Sequence, residues 1–249
     1  MSTASRIFSK SARSKYAADP FLMLLPARVN CLQLQVAPSN CDSIKQAIRD
    51  TEVKLLALKY HIDNMERFEK EFTKEDIEIL GNLQSSGFES VSRPIDFEFE
   101  SFLFKARAAL EILARTIALA SNQSRIKPKN LQRVLTASNR PFAKQVLTLI
   151  TEYRIVFSVL QGEGQQLSPR DWIAHYGSLY LTPHLTRMVE GKVAMRAPSL
   201  DEKTPVPASI VSRIILFALE RLVKESFAIV FSIPKPTVRS FLVSGISPG

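Results

Sequence analysis

From Asp42 onward the apolar residues fall into a helical rhythm. Ile44, Ile48, Leu55, Leu58, Ile62, Met65 and Phe72 follow one another at steps of three and four, with only Thr51 and Glu69 breaking the series. That spacing puts them on one face of a helix and predicts an amphipathic helix of about 30 residues over 42–72. Thr73 and Asp76 are spaced as a capping box for a short helix through Ile77 and Leu80. Gly87, Pro94 and the serines between them predict a loop over 84–96. A second stripe (Phe99, Phe102, Ala106, Leu110, Leu113, Ile117) predicts a helix over 97–121, with Lys105, Arg107, Glu111 and Arg115 on its opposite face; Arg107, Glu111 and Arg115 read as solvated charges or, as the other reading, as residues lining a site. A short helix is expected at 130–137. A single helix over 139–161 then carries Phe142, Val146, Leu149, Tyr153, Phe157 and Leu160, and stops at Gly162 and Gly164. The final helix, over 207–231, contains Ile210, Ile214, Phe217, Leu222 and Phe227.

Two stretches do not keep the helical period. Residues 21–40 alternate in part and contain Pro26 and Pro38, which predicts one or two edge strands or an extended arm. Between about 178 and 206 the period shifts toward two, with Glu190–Gly191 placed as a hairpin turn. The fold class is therefore all-α: a bundle of four to five long helices, with a small β-hairpin late in the chain. Residues 1–40 form a basic tail and extended arm, and residues 41–249 form a single helical domain.

Composition narrows the function classes. With 249 residues, 45% of them apolar, the chain can bury a full core without a metal or a crosslink. Cys31 and Cys41 are the two cysteines and make no Cys-x-x-Cys pair, which sets aside a zinc ribbon and a dithiol redox site. Reduced thiols and a cytoplasmic protein are expected. No apolar run approaches the ~20 residues of a membrane span. The first 18 residues carry Arg6, Lys10, Arg13 and Lys15 and no acid, which suits an unstructured basic tail or, as the other reading, a transit peptide.

The net charge of +9 favours anionic partners. Most of the surplus lies in 121–170, where Arg125, Lys127, Lys129, Arg133, Arg140, Lys144, Arg154 and Arg170 face only Glu152 and Glu163. Lys127, Lys129, Arg133 and Arg140 are the candidates for holding a nucleic-acid backbone; the other reading is a set of solvated helix faces.

Several chemistries lack their motif. There is no Gly-x-x-x-x-Gly-Lys-[Ser/Thr], no Gly-x-Gly-x-x-Gly, no Gly-x-Ser-x-Gly and no His-Glu-x-x-His. His61, His175 and His184 are too scattered for a metal site, so neither a metal nor another cofactor is expected. His61 and His184 read as surface or core residues.

What remains is Ser168-Pro169-Arg170-Asp171-Trp172-Ile173-Ala174-His175-Tyr176-Gly177. Ser168 suits an N-cap, Pro169 the first helical position, and Asp171 a capping box. An arginine four to six places before a histidine arises by chance about 0.6 times in such a chain. Fixing the form as Arg-[Asn/Asp/His]-x-x-x-His lowers that to roughly 0.02. In this form RDWIAH resembles the signature of HEPN domains, the higher-eukaryote and prokaryote nucleotide-binding superfamily. The tight match covers about eight residues.

The resemblance implies an α-helical bundle that pairs as a homodimer. It also implies a metal-independent endoribonuclease acting on single-stranded RNA in a toxin or phage-defence setting, with an antitoxin or defence protein as partner. Arg170 and His175 would be the catalytic pair and Asp171 the polar member that orients them; Tyr176, directly after His175, is a separate candidate for contacting the substrate. Some relatives carry a tyrosine two places after the histidine; here that place is Gly177. The alternative is a non-catalytic HEPN-like module that binds RNA, nucleotide or a partner protein. A helical scaffold with a basic face is a third reading.

The residue types suit the chemistry. Histidine titrates near neutrality and moves protons. A guanidinium matches the oxygens of a phosphorane. Five positions on a helix turn about 500°, which leaves Arg170 and His175 roughly 140° apart. A two-fold pair removes that difficulty and supplies both an acid and a base.

Overall fold

The computed structural model describes residues 19–71, 86–123, 130–162, 188–189, 192–193 and 207–234. Among these, eight helices form an all-α bundle: α1 (Pro20–Arg28), α2 (Cys31–Leu34), α3 (Pro38–Glu71), α4 (Ser86–Ala120), α5 (Leu131–Thr136), α6 (Ala143–Glu152), α7 (Arg154–Gln161) and α8 (Ala208–Val230). Two-residue strands β1 (Met188–Val189) and β2 (Lys192–Val193) pair antiparallel, Met188 opposite Val193 and Val189 opposite Lys192. The remainder of the 178–206 stretch, and the short helix expected at Thr73, lie outside the described residues.

Two helices dominate. α3 has 34 residues and α4 has 35, so each is about 50 Å long at 1.5 Å per residue. They share the most extensive interface in the bundle. Their direction follows from two polar ties: Asn122 Nδ2 donates to the Gln35 carbonyl at one end, and His61 pairs with Glu98 further along, so the helices run antiparallel. α8 lies antiparallel to α3 by the same logic, since Ser209 meets Glu69, Arg213 meets Glu66, and Lys59 meets Glu220.

α4 is the central element. From Leu113 to Ala120 every residue except Arg115 is buried. Ala106, Ala109, Ala114 and Ala118 let neighbouring helices approach closely, while Phe102 and, from α8, Phe227 fill the bulk of the core. The two polar interruptions in the α3 stripe are buried and satisfied. Thr51 Oγ1 donates to the Ala47 carbonyl at 2.8 Å, and Glu69 accepts from Ser209 on α8.

Five expectations need correction. Residues 21–40 are not strands or an extended arm but α1 and α2. Asp19 caps α1 by accepting from the N–H groups of Phe21 and Leu22, Pro20 occupies the first helical position, and Leu22 and Leu25 enter the main core. The loop expected at 84–96 is helical from Ser86. Pro94 removes one ladder donor, yet Ile95 and Asp96 directly after it are buried, and that packing holds the helix through the proline. The single helix at 139–161 is broken at Tyr153, where the ladder tightens to a Val156 N–H to Tyr153 carbonyl bond and the phenol donates to Glu225 on α8. The described bundle therefore has three long helices rather than four or five. In α8, Leu222 and Phe227 are buried, whereas Ile210, Ile214 and Phe217 are exposed.

The fifth correction is that Cys31 and Cys41 are joined in a disulfide rather than reduced, with their Cα atoms 5.8 Å apart. The four-residue α2 turns the chain back far enough for the start of α3 to meet it, which spacing in sequence did not reveal. The cytoplasmic expectation leaned on reduced thiols, and the bridge withdraws that support. No helix among the described residues is long and apolar enough to cross a membrane. The bridge spans ten positions. Replacing both cysteines by serine is expected to lower stability by a little under the ~3 kcal/mol of a 15-residue loop in the chain-entropy account. Urea unfolding of the oxidised protein against the double variant measures it.

Asp19 also ties α1 to α8, its carboxylate lying 2.5 Å from Lys224 Nζ. Burial pushes this carboxyl up, but the Lys224 ammonium and the two capping N–H groups outweigh it and hold Asp19 below its ordinary value. The folded form thus binds this proton less readily than the unfolded chain. The stabilisation is present above the ordinary aspartate range and is lost as pH falls through the lower folded value. Asp19→Asn keeps a capping oxygen and loses this acid dependence. Asp19→Ala loses the cap as well, at a further cost of about 1 kcal/mol. Unfolding curves between neutral and strongly acidic pH separate the two variants.

Candidate functional site

Arg170, Asp171, His175 and Tyr176, with Lys127 and Lys129, lie outside the described residues. The described frame shows how the chain is held on either side of the motif. The C-terminal end of α7 is fixed to the central helix by Arg107, whose Nη1 donates to the Leu160 carbonyl at 3.2 Å while its Nε pairs with Glu111 at 2.9 Å. Arg107 is thus a tether between helices rather than a solvated charge. Past the motif, α8 starts at Ala208 after Pro207, which offers no side-chain cap. The Glu69 carboxylate of α3 takes that role, accepting from the Ser209 backbone N–H at 3.0 Å and from the Ser209 hydroxyl. A carboxylate beside the first turn of a helix is favoured by the partial positive charge there.

Two arrangements among the described residues have chemical potential. The first is a polar pair across the α3–α4 interface. His61 Nδ1 lies 2.6 Å from Glu98 Oε2, and Asn64 Nδ2 donates to Glu98 Oε1 at 3.0 Å. A carboxylate only accepts, so Nδ1 carries the proton and the ring is held by Glu98, while Glu98 is held by Asn64. The Tyr60 ring and the imidazole meet in a T-shaped arrangement, with centroids 5.6 Å apart. Sequence reasoning set His61 aside, because its partner is 37 positions away and becomes visible only once α3 and α4 are paired. Among the described residues no group of three or more His, Cys, Asp or Glu could hold a metal ion.

The second is a cleft of about 260 Å³ where three elements meet: Asn30, Gln33 and Leu34 around α2, Arg140, Pro141, Phe142 and Gln145 at the start of α6, and Ile229 to Ser232 at the end of α8. Each wall has a local cause. Asn30 Oδ1 caps α2 by accepting from Leu32 and Gln33. α8 closes with Ser232 at φ 52°, its N–H bonded to Ile229 and that of Ile233 to Ala228, the pairing that ends a helix through a left-handed residue. Arg140 reaches across with Nη1 donating to the Leu34 carbonyl at 3.2 Å.

Of the two expected backbone-binding residues that are described, Arg140 lines the cleft and Arg133 stands exposed on α5 outside it. The cleft's other polar groups had no motif to announce them, since they come from three distant parts of the chain. Compared with protein families, with curated proteins and with solved structures, the chain finds no match in any of the three.

Proposed function

We propose that the chain is a HEPN-like, metal-independent endoribonuclease that cleaves single-stranded RNA. The observation that carries this reading is the Arg170-Asp171-x-x-x-His175 motif, in a chain of net charge +9 whose described residues form an all-α bundle. His175 removes the proton from the 2′-hydroxyl, whose oxygen attacks the adjacent phosphorus. Arg170 neutralises the charge that grows on the phosphorane oxygens, and Asp171 orients the pair. The 5′-oxygen leaves with a proton from the His175 of a second copy, so the working form is a homodimer with a composite site. Lys127, Lys129 and Arg133 hold the strand by its phosphates. A toxin or phage-defence role, with a cognate inhibitor protein, belongs to the same reading.

The test is end-labelled RNA incubated with the purified protein in EDTA. Products ending in a 2′,3′-cyclic phosphate and a 5′-hydroxyl are expected, and a strand with a 2′-deoxy sugar at the scissile position should remain whole. No cleavage, or cleavage that returns only with added magnesium, overturns the proposal. The second reading, a non-catalytic module binding RNA, nucleotide or a partner protein, is favoured by the Arg140 cleft. Salt-sensitive RNA retention without cleavage would support it.

A further inference from the structure

We propose that the cleft between α2, the start of α6 and the end of α8 binds one phosphorylated nucleoside, with Arg140 on its phosphate. Arg140 commits one N–H of its guanidinium to the Leu34 carbonyl and pairs with no carboxylate among the described residues. Among the described residues no acidic side chain lines the cleft. A partly buried arginine without a counter-ion, fixed at one nitrogen and open at the others, is suited to two oxygens of a phosphate. It also stands immediately before α6, whose start has no side-chain cap and whose N–H groups favour the same charge.

The rest of the cleft suits a base better than an acidic side chain. The side chains of Gln33 and Gln145 make no hydrogen bond within the described residues, and Asn30 uses its oxygen as a cap and keeps its NH₂ uncommitted among them. A carboxamide offers one donor and one acceptor side by side. Adenine presents the complementary pair at N6 and N7, whereas on that same edge guanine presents two acceptors, O6 and N7, and asks for two donors. Leu34, Phe142 and Phe231 supply an apolar floor for the flat face of a ring. At about 260 Å³ the space falls just under the roughly 300–1,000 Å³ of ordinary small-molecule sites, which fits one nucleotide and not two. The Cys31–Cys41 bridge fixes the wall that carries Gln33.

The ligand is an adenosine monophosphate unit, either free or as one residue of an RNA strand. The free form stands on the cleft alone; the strand-bound form rests on the ribonuclease reading. Calorimetric titration with AMP, adenosine, inorganic phosphate and a short oligoadenylate tests it. AMP should bind at least tenfold more tightly than adenosine or phosphate, and more tightly than GMP. Arg140→Gln should weaken AMP about tenfold. Because Arg140 also holds Leu34, Gln145→Glu is the second variant. Gln145 is exposed, and a carboxylate there removes the amide donor offered to the base and adds a negative charge to the cleft without disturbing packing.

Oligoadenylate that displaces AMP identifies the strand as the source. AMP that binds undisplaced identifies the free nucleotide. Absence of AMP and oligoadenylate binding in the wild type, or binding by Gln145→Glu equal to wild type, overturns the proposal. RNA cleavage in EDTA under those conditions would leave the ribonuclease standing and remove only the cleft. Arg140-dependent binding without cleavage would do the reverse.

Discussion

Alanine at His175 is expected to lower the rate of RNA cleavage about 10²–10⁴-fold, the usual contribution of a positioned acid or base. On the ribonuclease proposal the loss falls on the chemical step, so RNA retention and thermal stability stay close to wild type. Arg170→Ala should be comparably damaging, and Arg170→Lys only partly restorative, because an ammonium keeps the charge but not the planar pair of donors. The composite site adds a sharper test. If one copy supplies the base and the other the acid, a mixed dimer of wild type and His175→Ala is dead. Activity in mixtures then falls as the square of the wild-type fraction. A linear fall, with His175→Ala otherwise inactive, means that each copy cleaves alone and removes the dimeric mechanism. The rate should also rise and then fall with pH, since one imidazole must be neutral while the other is protonated.

The parts of the fold that could be read in the sequence are those where periodicity alone decides. Ile44 through Met65, Phe99 through Ile117 and the stretch from 208 to 230 each repeat at helical spacing, and each is helical. The misread parts turn on tertiary support that no local pattern encodes. Asp19–Pro20 is an N-cap followed by a first-turn proline, but Pro26 and Pro38 and the partial alternation around them pointed to extended chain. Residues around Pro94 carry loop signals and are helical, because Ile95 and Phe99 lock into the core beyond the proline. Tyr153 sits in register with its stripe and still breaks the helix, its phenol bonded to Glu225 and the Arg221 guanidinium 6.0 Å above its ring. The exposed half of α8 (Ile210, Ile214, Phe217) shows the limit from the other side, since a stripe indicates a helix without saying which residues find a partner. For the site, a six-residue motif is local and therefore legible. The Arg140 cleft and the His61–Glu98 pair are assembled from distant segments and were not. His61 falls between the stripe positions of its helix and acquires meaning only against α4.

Glu69 shows how a polar interruption in an apolar stripe can be structural. Its substitution by alanine is expected to cost about 3–5 kcal/mol, the range for removing one member of a buried charged arrangement. The residue is 2% exposed, yet it sits on a stripe where every neighbour is apolar. A carboxylate is tolerated there because Ser209 offers both its backbone N–H and its hydroxyl, at the start of a helix that has no cap of its own. Alanine would leave those two donors buried without an acceptor, each at about 1–3 kcal/mol, and would remove a negative charge from the positive end of α8. Glu69→Gln keeps an acceptor oxygen and loses the charge, so it should fall between alanine and wild type. Ser209→Ala removes the hydroxyl but not the N–H, and should cost less than either. If alanine at Glu69 shifts the urea midpoint by no more than an exposed substitution such as Glu111→Ala, the carboxylate does not cap α8. The start of that helix is then held by packing of Ala208, Val211 and Ile215 alone.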